Sequence, residues 1–235
     1  MASEQKRMQL RGLHHVTAIC GDPERTIAFY RDLLGLAIVH DGPSDDDPQA
    51  RHIWFGAQEG RPGMLVSFMH YPELPKGVVG VGSTHHFALL VETAEEQEAW
   101  RDYLRGQGVE CSEVFDRGAF RSLYVRDPDA HIVEIATAGP GFGALEGQPG
   151  ALLSFMQYPE LPKGVVGVGS THHFALVVDS PDEQEAWRDY LRGQGVECTE
   201  VFDRGAFRSI YLRDPDGHIV EIATRGPGFG AGPGP

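Results

Sequence analysis

Three adjacent histidine pairs, His14-His15, His85-His86 and His172-His173, and two glutamates set among apolar residues, Glu134 and Glu221, are the residues whose types and spacing could do chemistry. Neighbours in a strand point to opposite faces, so only one histidine of each pair can look into a given cavity. A buried carboxylate costs several kcal/mol unless a cation or metal accompanies it. For Glu134 an arginine partner would be Arg117 or Arg121, and for Glu221 Arg204 or Arg208. Two imidazoles and one carboxylate on a rigid sheet are otherwise the ligands of a facial triad, whose open positions suit non-haem Fe(II) and oxygen chemistry.

The elements that must hold these residues follow a repeated order. Residues 13–19 read as a strand, and Asp22-Pro23-Glu24 supplies an N-cap, a first-turn proline and an early negative charge. A helix with Ile27, Tyr30, Leu33 and Leu34 on its apolar face runs to Gly35. Strands are expected over 37–40, 51–55 and 64–70, separated by an acidic loop at 43–48 and a turn at 60–63. The strand over 64–70 holds no carboxylate, which favours three protein ligands over four.

After a Pro- and Gly-rich connector, 71–82, the order repeats with other residues: a strand over 85–91, a Thr93/Glu96 capping box, and a helix with Trp100, Tyr103 and Leu104 on one stripe, closed by Gly106 and Gly108. Strands over 111–115, 120–126 and 131–137 complete it, the last two joined by a turn at Asp127-Pro128-Asp129.

The chain then copies itself. Residues 55–143 match 142–230 at an offset of about 87, with about fifteen differences. The copy starts just before the last strand of the first module, so it carries that strand and a second cassette but no second first module. The expected organisation is a flexible N-terminus (1–12), a strand-helix-three-strand module A (13–70), module D (82–138), a duplicated strand (151–156) with module D′ within 142–225, and a flexible tail (226–235). The fold class is α+β, built of repeated βαβββ modules.

At 235 residues with 41% hydrophobic and 23% charged residues, the chain has the balance of a globular protein. A formal net charge of -14 argues against nucleic acid or an anionic membrane surface as partner. Cys20, Cys111 and Cys198 lie far apart without metal spacing, as reduced thiols in a cytoplasmic protein would. The polar start resembles no signal peptide, and no apolar run approaches the roughly 20 residues of a membrane span. A cytoplasmic protein acting on a small molecule is the expectation.

The modules, the LHHVTAI opening with DPERTIAFYRDLLGL, and HIVEIAT near the end of each D module resemble the vicinal oxygen chelate superfamily of glyoxalase, bleomycin resistance and extradiol dioxygenase proteins. GLHHVTAI, RHIWFG, GRPG, THHFAL, DRGAFRSLYVRDPD and VEIATAGPGF are similar to ring-cleaving dioxygenases of hydroquinones and catechols. The resemblance implies paired modules closing a curved half-barrel sheet round a metal. It implies His15, His86 and Glu134 as ligands, with His173 and Glu221 as the alternative second half. It places Tyr124 and its copy Tyr211 beside the substrate, Arg117 and Arg204 just behind, and gives His85 and His172 supporting roles that plain pleat geometry opposes. The implied cofactor is Fe(II), with Mn(II), Zn(II) or Ni(II) as alternatives, and the implied partners are a small aromatic substrate and O2.

Such relatives carry an even number of modules, whereas this chain has three. Module A could pair with D, with D′, or between chains, and each arrangement predicts a homodimer or larger assembly. A glyoxalase-type metal-dependent lyase or isomerase, and a metal-free small-molecule (drug) binding protein, are the competing functions on the same fold.

Overall fold

The computed structural model describes residues 9–57, 60–139, 141 and 152–229. Module A forms β1 (Leu13–Cys20), α1 (Pro23–Ile27), β2 (Ala37–Pro43), β3 (Arg51–Gly56) and β4 (Leu65–His70). The Asp22 carboxylate accepts from the Glu24 and Arg25 amides and starts α1, which widens into a π-helix over Ala28–Leu33. Module D forms β5 (Phe87–Val91), α2 (Ala94–Gly106), β6 (Phe115–Asp116), β7 (Arg121–Arg126) and β8 (Ile132–Thr137). Module D′ repeats it as β9 (Thr171–Val178), α3 (Pro181–Gly193), β10 (Phe202–Asp203), β11 (Arg208–Arg213) and β12 (Ile219–Thr224).

Each long helix is tied to its sheet by one buried amide. Gln97 donates to the carbonyls of Arg121 and Ile135, and Gln184 donates to those of Arg208 and Ile222. Thr93 and Ser180 cap the two helices, accepting from the Glu96 and Glu183 amides as the capping-box spacing predicts.

Module A pairs with D′. Eight strands form one curved half-barrel sheet in the order β10-β11-β12-β9-β1-β4-β3-β2, and module D stands apart as a four-stranded sheet, β5-β8-β7-β6. The joint is the antiparallel β1·β9 pair, in which Val16 faces Phe174 and Thr17 faces His173. Module D contacts module A through its core instead: Tyr30, Phe68 and Val66 of A share one apolar cluster with Phe87, Leu123 and Val133 of D. Tyr30 also donates to the Asp127 carboxylate across this junction.

The two copies of the connector pack on each other about a local two-fold. Val78 pairs with Val165, and a Cβ on Gly80 would come within 2.1 Å of the Pro162 carbonyl, just as one on Gly167 would meet the Pro75 carbonyl at 2.1 Å. Only glycine allows that approach.

Three sequence expectations are corrected. The strand expected at 151–156 does not form: residues 152–157 carry no regular structure, and Leu152, Leu153, Phe155 and Met156 are exposed. Their originals in β4 are buried because β1 and β3 flank them, and the duplication copied neither neighbour. The strand expected at 111–115 shrinks to a single bridge from Cys111 to Val125 and the two residues of β6. The tail is not free along its whole length, since Phe229 packs on Trp54 and stacks on His40. The first residues of the duplication, 142–151, and the tail beyond 229 lie outside the described residues.

Candidate metal centre and substrate cavity

The site is built where β1 and β9 meet. The Nε2 atoms of His15 and His173 lie 3.1 Å apart, and Glu221 Oε2 is 3.3 Å from the first and 3.0 Å from the second. All three residues are buried, and among the described residues they are the one set of three or more such side chains whose ligand atoms lie within 4.8 Å of one another. Module A leaves its half of the site without a carboxylate. The parallel β1·β4 register sets Ser67 beside Thr17, the place that Glu221 takes beside Ala175 in β12·β9. Ser67 hydrogen-bonds Thr17 and His52 instead, at 2.8 and 2.9 Å.

Each inner histidine is held by its neighbour. The Nδ1 atoms of His14 and His15 are 2.9 Å apart, and those of His172 and His173 are 2.8 Å apart. With the proton of the inner ring on Nδ1, donated to the outer ring, the site-facing Nε2 keeps its lone pair for a metal. Pleat alternation predicts that His14 and His172 turn away; each ring nonetheless meets its inner neighbour edge to face. The β1·β9 register shifts between Leu13 and His15 and again between Thr17 and Ala18, but His85 and His86, next to the unpaired edge of β5, make the same ring contact.

The donor set fits a divalent metal. Glu221 Oε1 accepts from Ser209 Oγ at 2.5 Å, while Oε2, buried, has no hydrogen-bond partner and faces two imidazole nitrogens. Burial alone would raise the Glu221 carboxyl, but His15 and His173 more than offset it and hold it well below the usual carboxylate range. Burial pushes the His15 imidazole down and His14 down to about 3, and the neutral imidazole is the form that binds a metal.

The ligand set opens into a cavity of about 350 Å³ lined by Trp54, Phe207, Tyr211 and Phe229, with His40 and His52 on its module A side. Arg204 reaches over it from D′, donating to both carboxylate oxygens of Asp46 at 2.6 and 2.9 Å and to Tyr211 Oη at 3.4 Å. Burial first, then Glu221, keeps the Tyr211 phenol protonated.

The structure therefore brings His15, His173, Glu221, Tyr211, Arg204 and His172 together. His86, Glu134, Tyr124, Arg117 and His85 form the matching half in module D, with His86 Nε2 2.9 Å from Glu134 Oε2, but no module A face stands opposite them. Neither glutamate takes an arginine: Arg121 binds Glu98, Arg208 binds Glu185, and Arg117 reaches Tyr124. The sequence reading missed Trp54, Asp46, His52, Phe207 and Phe229. Ser67 alone had a signal, because Val66-Ser67-Phe68 aligns with Val220-Glu221-Ile222.

A family model described as Glyoxalase/Bleomycin resistance protein/Dioxygenase superfamily matches residues 12–135 and 137–222. A Bacillus subtilis (strain 168) protein named "Putative ring-cleaving dioxygenase MhqE" is 28% identical over 276 residues, covering 94% of this chain and 89% of the relative. The chlorohydroquinone/hydroquinone 1,2-dioxygenase of Sphingobium indicum is 23% identical over 277 residues, covering 92% and 86%. A crystal structure described as a putative dioxygenase from Bacillus subtilis superposes with a TM-score of 0.82 at 25% identity, covering 96% of this chain and 88% of that one. No helix among the described residues is long and apolar enough to cross a membrane.

Proposed function

The chain belongs to the glyoxalase/bleomycin resistance protein/dioxygenase superfamily, and on that premise we propose that it is a metal-dependent dioxygenase that opens a hydroquinone- or catechol-like ring with O2. The observation that carries this reading is the three-ligand set His15, His173 and Glu221, with Ser67 where a second carboxylate, the fourth ligand, would stand. A site of three ligands keeps open positions, whereas the glyoxalase-type alternative asks for a second carboxylate. The names of the relatives point the same way.

When bound to His15, His173 and Glu221, Fe(II), or Mn(II), Zn(II) or Ni(II) in its place, supplies Lewis-acid chemistry, and iron or manganese adds redox chemistry. The chain supplies the rest. Trp54 and Phe207, packed edge to face with ring centroids 5.6 Å apart, give the cavity an apolar wall on which an aromatic ring can rest. Arg204 donates into Tyr211 Oη, which leaves the phenolic proton free to hydrogen-bond an oxygen of the substrate or one developing charge during attack. The Arg204 cation also favours a deprotonated hydroxyl on the ring. Burial pushes His52 down to about 3, so its ring stays neutral, and it hydrogen-bonds Ser67 through Nε2 on the module A side.

The test is metal analysis of protein purified without oxygen, followed by oxygen uptake with hydroquinone. The expected result is one transition metal per A–D′ site and uptake of one O2 per ring opened. Tight hydroquinone binding without metal would point to a binding protein. Turnover of a hemithioacetal without oxygen uptake would point to a glyoxalase-type lyase.

A further inference from the structure

Module D presents a strand edge that the same fold covers elsewhere in the same chain. The strands β1, β5 and β9 carry one motif, HHVTAI, HHFALL and HHFALV, so Val16, Phe87 and Phe174 are equivalent positions. In the β1·β9 pair Val16 faces Phe174, and His15 and Thr17 face Ala175 and His173. The motif thus pairs with itself, antiparallel, about a two-fold that passes through its central apolar residue. An edge of that kind is self-complementary, which is the requirement for an isologous contact.

The β5 strand has β8 on one side and no described strand on the other. Its exposure registers the gap. Leu90 is 65% exposed, while the equivalent Ile19 and Val177 are 1% and 2% exposed. Ala88 is also exposed, while its equivalents Thr17 and Ala175 are fully buried. Beside this edge lies half of a ligand set: His86 Nε2 is 2.9 Å from Glu134 Oε2, and the buried Glu134 Oε1 has no hydrogen-bond partner. A long, apolar, unpaired edge invites another strand.

We propose that a second copy of this chain docks along β5, antiparallel and centred on Phe87, joining two module D sheets into one eight-stranded sheet. The register is that of β1·β9, so His86 of each copy stands opposite Ala88 of the other. The Leu90 amide donates to the Ser83 carbonyl of the other copy, as Ile19 donates to Ser170. The dimer then holds six modules in three pairs: A with D′ in each chain, and D with D between chains. The two His86–Glu134 pairs face each other across the two-fold and complete a buried site that neither chain holds alone. This inference does not depend on the reaction carried out in the A–D′ cavity.

The test is the oligomeric state of the full chain by sedimentation velocity at tens of micromolar, with amide hydrogen exchange over residues 86–91. The expected result is a dimer whose β5 amides are protected and lose protection on dilution. Leu90→Asp should weaken it by about tenfold or more. Leu90 is exposed in the single chain, so the variant keeps its fold, and circular dichroism checks that. The competing occupant is the chain's own 152–157 segment; a Leu152→Ser/Phe155→Ser variant should leave the dimer intact. A monomeric wild type, a dimer that Leu90→Asp leaves unchanged, or β5 protection that is independent of concentration and lost in the 152–157 variant would each overturn the proposal.

Discussion

His15 and His173 stand 158 positions apart in sequence, yet their Nε2 atoms are 3.1 Å apart in the buried joint between modules A and D′. That relationship decides which of two nearly identical cassettes can work with module A.

Glu221→Gln should therefore abolish oxygen uptake, while Glu134→Gln should leave it within about threefold of wild type. Ser209→Ala, which removes the hydroxyl on Glu221 Oε1, should weaken metal binding by about 10- to 100-fold without unfolding the chain. Oxygen uptake reads the two glutamate variants, and metal titration with an optical chelator reads Ser209→Ala. Loss of uptake with Glu134→Gln but not with Glu221→Gln would mean that module D, not D′, works with module A.

Arg204 grips Asp46 with two parallel hydrogen bonds and so ties the 43–48 loop over the cavity. Asp46→Asn should raise KM about three- to tenfold with a smaller change in kcat, because it frees the loop but leaves Arg204 on Tyr211. Arg204→Lys, which loses both the fork and the phenol contact, should lower kcat as well. Steady-state kinetics with a hydroquinone separates the two.

Gly80 and Gly167 face carbonyl oxygens at 2.1 Å from where a Cβ would stand. Each Gly→Ala change should cost about 1–3 kcal/mol. Gly106→Ala should instead stabilise by about 0.5–1 kcal/mol, since a Cβ at that helical glycine meets nothing within 4 Å. Thermal melts of the three single variants give the ranking.

The Cys20 thiol, buried at the end of β1, is pushed up to about 12, chiefly by burial. At pH 8 iodoacetamide should label Cys111 and Cys198 well before Cys20, as read by mass spectrometry. The unfolded chain releases this proton near the ordinary value of 9.0 and the folded chain only near 12. The group's contribution to stability is complete below 9 and is lost as pH rises towards 12. Cys20→Ala should flatten that slope in denaturant melts.

Much of this was legible in the residues. Capping residues, glycine stops and the repeated HIVEIAT pattern locate the helices and strands, because they are local signals with local causes. The boundary of the duplication identifies the shortage of a partner for one D module. The choice of D′ over D was not legible, since Phe87 and Phe174 sit in nearly identical strands and only packing around Tyr30 and Asp127 separates their fates. The contact of each outer histidine ring with its inner neighbour was hidden for another reason: alternation gives the face of a side chain, not the turn of its ring. Asp46 and Phe229 come from an acidic loop and a glycine-rich tail, where composition says nothing about what the backbone passes over.

The near-identity of β5 and β9 also bears on how the chain finds its native state. While β1 waits for a neighbour, β5 is finished first and lies about half as far along the sequence as β9. Closing the shorter loop is favoured by about 0.6 kcal/mol, and the two candidate strands offer almost the same side chains. Native pairing must then win through contacts made later, among them the Tyr30–Asp127 bond that fastens module D on its other side. A chain that grips the wrong twin early has to let go before it can finish, so refolding should show a slow phase that a weakened β5 shortens.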